Sequence, residues 1–274
     1  MSSSEPHSLA KIIMLKDFSL EGRRALCIGA GRGIGKGIAV TLAEAGADVG
    51  IASLNGANAQ AVAALAEGHG RRGAAFQVDA TNEESMMRLA AQVADRFGDI
   101  DILVNCVGDS FRRPIIPLPN GPAGETKFAD WRHIVDLNLT PAFLGCRAFG
   151  PRFLERGSGS VINITTYVQS RGRFASAAYD SAKQALNQFT RNMALEWAAR
   201  RIRVNAIGPG NYPDPEQRSP EDLATARRDL AARVPLGREG YFRDVGLLAV
   251  YLASDAAAYV TGQVFVVDGG LGLV

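Results

Sequence analysis

Short apolar runs alternate with longer amphipathic stretches along most of this 274-residue chain, and no other feature constrains its fold as much. Parallel strands cannot be joined by a tight turn, and each crossover between them needs a dozen or more residues, usually a helix. Strands recurring between helical segments therefore predict a parallel sheet with helices on both faces. The apolar runs place strands at 24–28, 48–52, 74–78, 102–104, 160–164, 203–207 and 264–267, and helical periodicity places helices at 33–45, 57–68, 82–97, 131–153, 175–199 and 243–253. With 47% apolar residues, a chain of this length can bury one large core. The expectation is a single-domain α/β protein over 1–274, a doubly wound parallel sheet of about seven strands.

Two segments break the rhythm. Residues 111–128 carry Pro114, Pro117, Pro119 and Pro122 with Gly121 and Gly124, which predicts an irregular excursion. Within 211–240, Ser219, Pro220 and Asp222 stand in helix-start order, followed by Leu223, Ala226 and Leu230 on one face. This reads as a lid helix between glycine-bearing joints.

Composition excludes several classes. The net charge of +2, 30 basic minus 28 acidic, gives no basic surplus for a nucleic-acid surface. The three cysteines, Cys27, Cys106 and Cys146, are far apart in apolar segments, so neither a disulfide framework nor a zinc spacing is present. Residues 1–16 open polar with only the short apolar run 12–15, and no stretch nears the roughly 20 apolar residues of a membrane span. A soluble protein of the reducing cytoplasm is expected.

Two constellations carry chemistry. The first predicted strand runs into Gly29-Ala30-Gly31-Arg32-Gly33-Ile34-Gly35, where a helix start would aim backbone amides and its positive dipole end at a pyrophosphate. The spacing of the turn is Gly29, Gly33, Gly35, because Ile34 breaks the common Gly-x-Gly-x-x-Gly pattern. Near the end of the second strand, where an acidic residue would bind adenosine ribose hydroxyls, stands Ser53. With Arg32 inside the turn and able to pair with a 2′-phosphate, this favours NADP(H) over NAD(H). The second constellation is Tyr179 and Lys183, four residues apart on a predicted helix and thirteen or more beyond Thr166. A phenol titrates near ~10, and an ammonium one turn away is expected to favour the phenolate and lower that value.

With these motifs in this order, the chain resembles the classical short-chain dehydrogenase/reductase family. The resemblance runs from about residue 21 to 270 and includes Asp79 and Ala80 on the adenine side, Asn105-Cys106-Val107-Gly108, Asn138 in Leu-Asn-Leu, Thr166, Tyr179, Lys183, Pro209-Gly210 and the closing Val267-Asp268-Gly269-Gly270. It implies a Rossmann-type fold, a cofactor held by the glycine turn with Ile34, Ser53, Asp79, Ala80, Asn105, Val107, Gly108, Pro209 and Gly210, and hydride transfer between nicotinamide and a carbonyl carbon. In that chemistry Tyr179 would exchange the proton, Lys183 would assist it and hold the nicotinamide ribose, Asn138 would order a water relay and Thr166 would bind the substrate oxygen.

The chain departs from the family pattern at Ile28 and Thr166, which replace the usual threonine and serine, at Cys106, which replaces asparagine, and at Asn211 to Asp214, where a threonine is common. Thr165 is the alternative hydroxyl, and a strand would point it to the opposite face. Cys106 reads as a small buried residue.

The resulting expectation is a carbonyl reductase or secondary-alcohol dehydrogenase acting on a small molecule. A catalytically silent nucleotide-binding regulator and an enoyl reductase are the alternatives, although the enoyl branch generally sets its tyrosine and lysine more than four residues apart. Arg218, Arg227 and Arg228 in the lid leave a carboxylate or coenzyme A thioester substrate open. The resemblance also implies a homodimer or homotetramer built from the helices of Asn138 and Tyr179, with Phe143, Phe149, Phe189 and Trp197 offering apolar area.

Overall fold

The computed structural model describes residues 15–117, 119, 124–168 and 171–274. The polar start at 1–14, and Gly121 and Pro122 of the proline-rich excursion, lie outside them. Among the described residues the strands are β1 (Arg24–Ile28), β2 (Asp48–Ser53), β3 (Gly73–Gln77), β4 (Ile102–Asn105), β5 (Gly159–Ile164), β6 (Ile202–Pro209) and β7 (Val264–Val267). The helices are α1 (Gly33–Glu44), α2 (Gly56–Gly68), α3 (Glu83–Arg96), α4 (Phe128–Arg156), α5 (Ala177–Trp197), α6 (Pro220–Ala231) and α7 (Phe242–Ala253). The strands form one parallel seven-stranded sheet in the order β3-β2-β1-β4-β5-β6-β7.

Strand order reverses direction between β1 and β4, and the crevice beyond their carboxyl ends is where open sheets of this kind bind ligands. The period-2 alternation of side chains divides the core into two layers. Ala25 and Cys27 of β1 face a cluster with Ile38 and Leu42 of α1 and Val245 and Ala249 of α7. Leu26 and Ile28 face the other side, with Met86 and Leu89 of α3, Phe149 and Phe153 of α4 and Trp197 of α5. Burial on both faces explains why the strands read as continuous apolar runs.

Several differences from the sequence expectation have local causes. Helix α5 starts two residues later than 175 because Ala175 holds a left-handed φ of 56°, which a helix cannot include. Helix α4 outruns 131–153 at both ends despite Pro141 and Pro151, and stops where Gly157 turns left-handed at φ 67°. Strand β6 is longer because it pairs with β5 and β7. The lid helix is present as α6, with the Ser219 hydroxyl accepting the Asp222 amide at 3.1 Å. Phe149 and Trp197 must be removed from the exposed apolar area: both are buried in the core, whereas Phe143 is exposed and Phe189 partly so.

Candidate active site

The glycine turn after β1 is shaped by close backbone approaches. Gly29 has φ 83°, and a Cβ there would lie 2.8 Å from the Val107 amide nitrogen, so β1 and the segment after β4 meet without side chains between them. A Cβ at Gly35 would lie 2.7 Å from the Gly29 carbonyl oxygen, which seats the first turn of α1 directly on the strand end. Gly31 lies outside the Gly29, Gly33, Gly35 spacing. It is needed because a Cβ there would come within 2.6 Å of the Ser53 hydroxyl.

Two adjoining cavities open over this turn. The larger, about 650 Å³, is lined by Gly31, Arg32, Ser53, Asp79, Ala80 and Val107, with Leu137 from α4. The smaller, about 380 Å³, is lined by Gly33, Ile34, Gly35, Tyr179, Lys183, Pro209 and Gly210, with Asp109 and Thr165. Both are bordered by Gly29, Arg32, Cys106 and Gly108. A cleft of two lobes joined at a glycine turn and a helix N-terminus suits a dinucleotide with its pyrophosphate at the joint. Arg32 is exposed at that joint, and its guanidinium makes no ion pair or hydrogen bond among the described residues.

Two expected cofactor or catalytic contacts are differently placed. Asn105 lines neither cavity: it is buried behind them, and its amide donates to Asn163 Oδ1 at 2.9 Å, so it supports the wall. Asn138 also stands behind the wall, donating to the Asp109 carbonyl at 2.8 Å and the Ile134 carbonyl at 2.9 Å. Its buried Oδ1 has no hydrogen-bond partner and lies 2.5 Å from where a Cβ of Gly108 would be, with Lys183 Nζ 2.9 Å from the same point. An orphaned acceptor this close to an ammonium fits a polar relay, because buried acceptors are rarely left unsatisfied.

Tyr179 lines the smaller cavity, and its hydroxyl is hydrogen-bonded to Thr166. The ammonium of Lys183 is 5.9 Å from the ring centroid and donates to the Ile164 carbonyl at 3.0 Å. The expected lowering of the phenol pKa is not what the chain's own groups produce. Burial pushes Tyr179 up to about 12, against the opposing pull of the Arg173 guanidinium and the Thr166 hydrogen bond. Burial also brings Lys183 down to about 8, so its ammonium is a weaker fixed charge than the sequence implied.

Thr165 is placed differently from the strand expectation. Strand β5 ends at Ile164, so alternation no longer orients the next residue, and Thr165 borders the cavity. Its hydroxyl is instead committed to the Ile207 carbonyl at 3.2 Å. Cys106 sits at the seam of the two lobes with its thiol pushed up to about 11 by desolvation, a poor nucleophile. In the lid, Arg227 pairs with Glu239 at 2.8 Å. The lid adds residues no motif announced: Tyr212, Asp214 and Gln217 line the smaller cavity with Phe242 of α7. Among the described residues no cluster of metal-ligating side chains occurs, and no helix is long and apolar enough to cross a membrane.

A family profile described as Enoyl-(Acyl carrier protein) reductase matches residues 29–272. The chain is 36% identical over 253 residues to a 2-dehydro-3-deoxy-D-gluconate 5-dehydrogenase of Bacillus subtilis (strain 168), spanning 92% of this chain and 96% of that one. It is 36% identical over 255 residues to a D-threitol dehydrogenase of Mycolicibacterium smegmatis, spanning 93% and 94% respectively. Among solved structures, a gluconate 5-dehydrogenase from Burkholderia cenocepacia J2315 in complex with NADP and tartrate superposes with a TM-score of 0.84 at 32% identity, over 94% of this chain and 98% of that one.

The chain belongs to the classical short-chain dehydrogenase/reductase family. It is an NAD(P)-dependent oxidoreductase acting between an alcohol and a ketone. The profile is described as an enoyl reductase, whereas these relatives are named as dehydrogenases; the four-residue interval from Tyr179 to Lys183 goes with the latter.

Proposed function

We propose that Tyr179 exchanges the proton with the substrate oxygen, that Thr166 donates a hydrogen bond to that oxygen, and that Lys183 and Asn138 connect Tyr179 to solvent. The observation that carries this reading is that Tyr179 and Lys183 line a cavity continuous with the glycine turn, with Thr166 hydrogen-bonded to the Tyr179 hydroxyl. When bound, the nicotinamide supplies or accepts the hydride. Gly29, Gly33, Ile34, Gly35 and Arg32 would hold the phosphates, Ser53, Asp79, Ala80 and Val107 the adenosine half, and Lys183, Pro209 and Gly210 the nicotinamide half. The chain's own contribution is a buried acid of fixed position, a hydroxyl beside it and a wall that limits water.

The substrate class proposed is a small polyhydroxylated ketone or secondary alcohol, such as a sugar acid or polyol. Its support is the relatives named for such compounds and the cavity's polar lining by Asp109, Ser110 and Thr165. A panel of sugar acids, polyols and 3-oxoacyl thioesters, followed at the reduced-nicotinamide absorbance, tests this. Turnover confined to the thioesters would overturn it.

For the cofactor, the exposed Arg32 and the hydroxyl of Ser53 in the larger cavity support NADP(H) over NAD(H). NADP⁺ is expected to raise Tm more than NAD⁺ at equal concentration, since stabilisation grows with ligand concentration over Kd. Ser53→Asp should remove the difference by repelling the 2′-phosphate. Equal shifts with the unaltered chain would refute the preference.

The proposed assembly is a homodimer or homotetramer in the cytoplasm, with α4 and α5 facing their copies. Exposed Phe143 on α4 and Leu195 on α5 support it. Light scattering at micromolar concentration should give a multiple of the 29.1 kDa chain mass, and a monomer would contradict it.

A further inference from the structure

The segment between Thr166 and α5 places an arginine against the reacting phenol. The Arg173 guanidinium carbon is 5.5 Å from the centroid of the Tyr179 ring and 5.4 Å from that of Tyr167. Two of its N–H groups donate to the two carboxylate oxygens of Asp180, the residue after Tyr179, with Nε to Oδ2 at 3.2 Å. A further hydrogen bond joins it to Tyr167, which is buried with Leu230 of the lid helix, Val234 and Leu271. Ala175, two residues on, is left-handed, and its carbonyl accepts from the Arg113 amide at 2.9 Å.

Stability does not account for such a pair. The Arg173 and Asp180 side chains are 14% and 15% exposed, and desolvating two charges offsets most of their attraction, so a hydrophobic replacement is often as stable. What the pair does have is a place: a bidentate fork fixes the plane of a guanidinium, and here that plane lies beside Tyr179.

We propose that Arg173, fastened by Asp180, is a positioning residue that fixes the Tyr179 ring and sets the balance of charge around its hydroxyl. The inference rests on the reading of Tyr179 as the acid–base group. The groups that act on that hydroxyl are Arg173 from the loop, Asp180 from α5, Thr166 after β5 and Cys106 after β4; Lys183 lies 5.9 Å from the ring centroid, Tyr167 lies against the same guanidinium, and Asp109, Tyr212 and Asp214 line the cavity. Within this set the guanidinium and the Asp180 carboxylate act in opposite directions: the first favours the phenolate and the second disfavours it. Neutralising each partner in turn therefore moves the titration of Tyr179 to opposite sides, a result that general loosening of the loop cannot give.

The test is the pH profile of alcohol oxidation at saturating cofactor, which rises as Tyr179 becomes phenolate. Arg173→Met removes the positive charge and should carry the rise to higher pH by about one unit, the smaller end of what a charge at this range produces. Asp180→Asn should carry it lower by a similar amount. The double variant should return near the original pH with a lower kcat, because the ring has lost its support, and Arg173→Lys should keep the pH of the rise while recovering only part of kcat.

Should Arg173→Met fail to fold, as judged by circular dichroism, Asp180→Asn alone decides the direction. Unmoved profiles, or shifts to the same side, overturn the proposal while leaving Tyr179 in its role, provided Tyr179→Phe is inactive. An active Tyr179→Phe would remove the reading on which the proposal stands.

Discussion

Replacing Tyr179 by phenylalanine is expected to lower kcat by about 10²–10⁴-fold, the range for removing a positioned general acid, with cofactor binding nearly unchanged. The ring would still fill its place at the end of the cavity, and the cradle formed by Gly29, Gly31 and Gly35 is untouched. Only the exchangeable proton is gone. Steady-state rates beside cofactor-induced Tm shifts separate the two effects. A fall in rate accompanied by an equal loss of cofactor affinity would show that Tyr179 holds the nucleotide and does not move the proton.

The direction of the pH dependence follows from the same group. With the phenol pushed up to about 12 by burial, the protonated form prevails at neutral pH. Ketone reduction, which needs that form, should decline only as strongly alkaline pH is approached. Alcohol oxidation needs the phenolate and should rise with pH throughout. Opposite slopes for the two directions are expected of the unaltered chain, and both slopes should be absent from the residual rate of Tyr179→Phe.

Thr166→Val carries the second large effect. Valine keeps nearly the shape of threonine but cannot donate, so kcat should fall by about 10²–10³-fold, as on loss of an oxyanion-type donor. Thr166→Ser retains the hydroxyl and should be tolerated. Because the Thr166 hydrogen bond also favours the Tyr179 phenolate, the valine variant should need higher pH for oxidation. A fully active valine variant would transfer the carbonyl-binding role to Thr165, which already borders the cavity.

Local features of the chain were legible where one residue type admits few alternatives. Gly29 and Gly35 are required by backbone contacts that any side chain would block, and the apolar runs became strands because a parallel sheet buries both faces. Features set by packing between distant segments were not. A Cβ at Gly150 would lie 2.9 Å from the Trp197 ring, so α4 and α5 meet closely enough to bury an indole that amphipathicity alone left exposed. The titration of Tyr179 likewise depends on packing. Spacing showed an ammonium one turn away, but desolvation depends on everything packed around the phenol, and here it outweighs the nearby charges. Arg173 carries no motif. Its relation to Tyr179 exists only because Arg173 comes to lie against the first turn of α5.

The most direct test of hydride transfer coupled to Tyr179 uses reduced cofactor deuterated at nicotinamide C4, incubated with a ketone substrate and followed by mass spectrometry of the product. The account expects deuterium on the new carbinol carbon with the unaltered chain, and labelled alcohol formed about 10²–10⁴-fold more slowly with Tyr179→Phe. Deuterium on a carbon that had belonged to a C=C bond, or labelling unaffected by the loss of the Tyr179 hydroxyl, would contradict it.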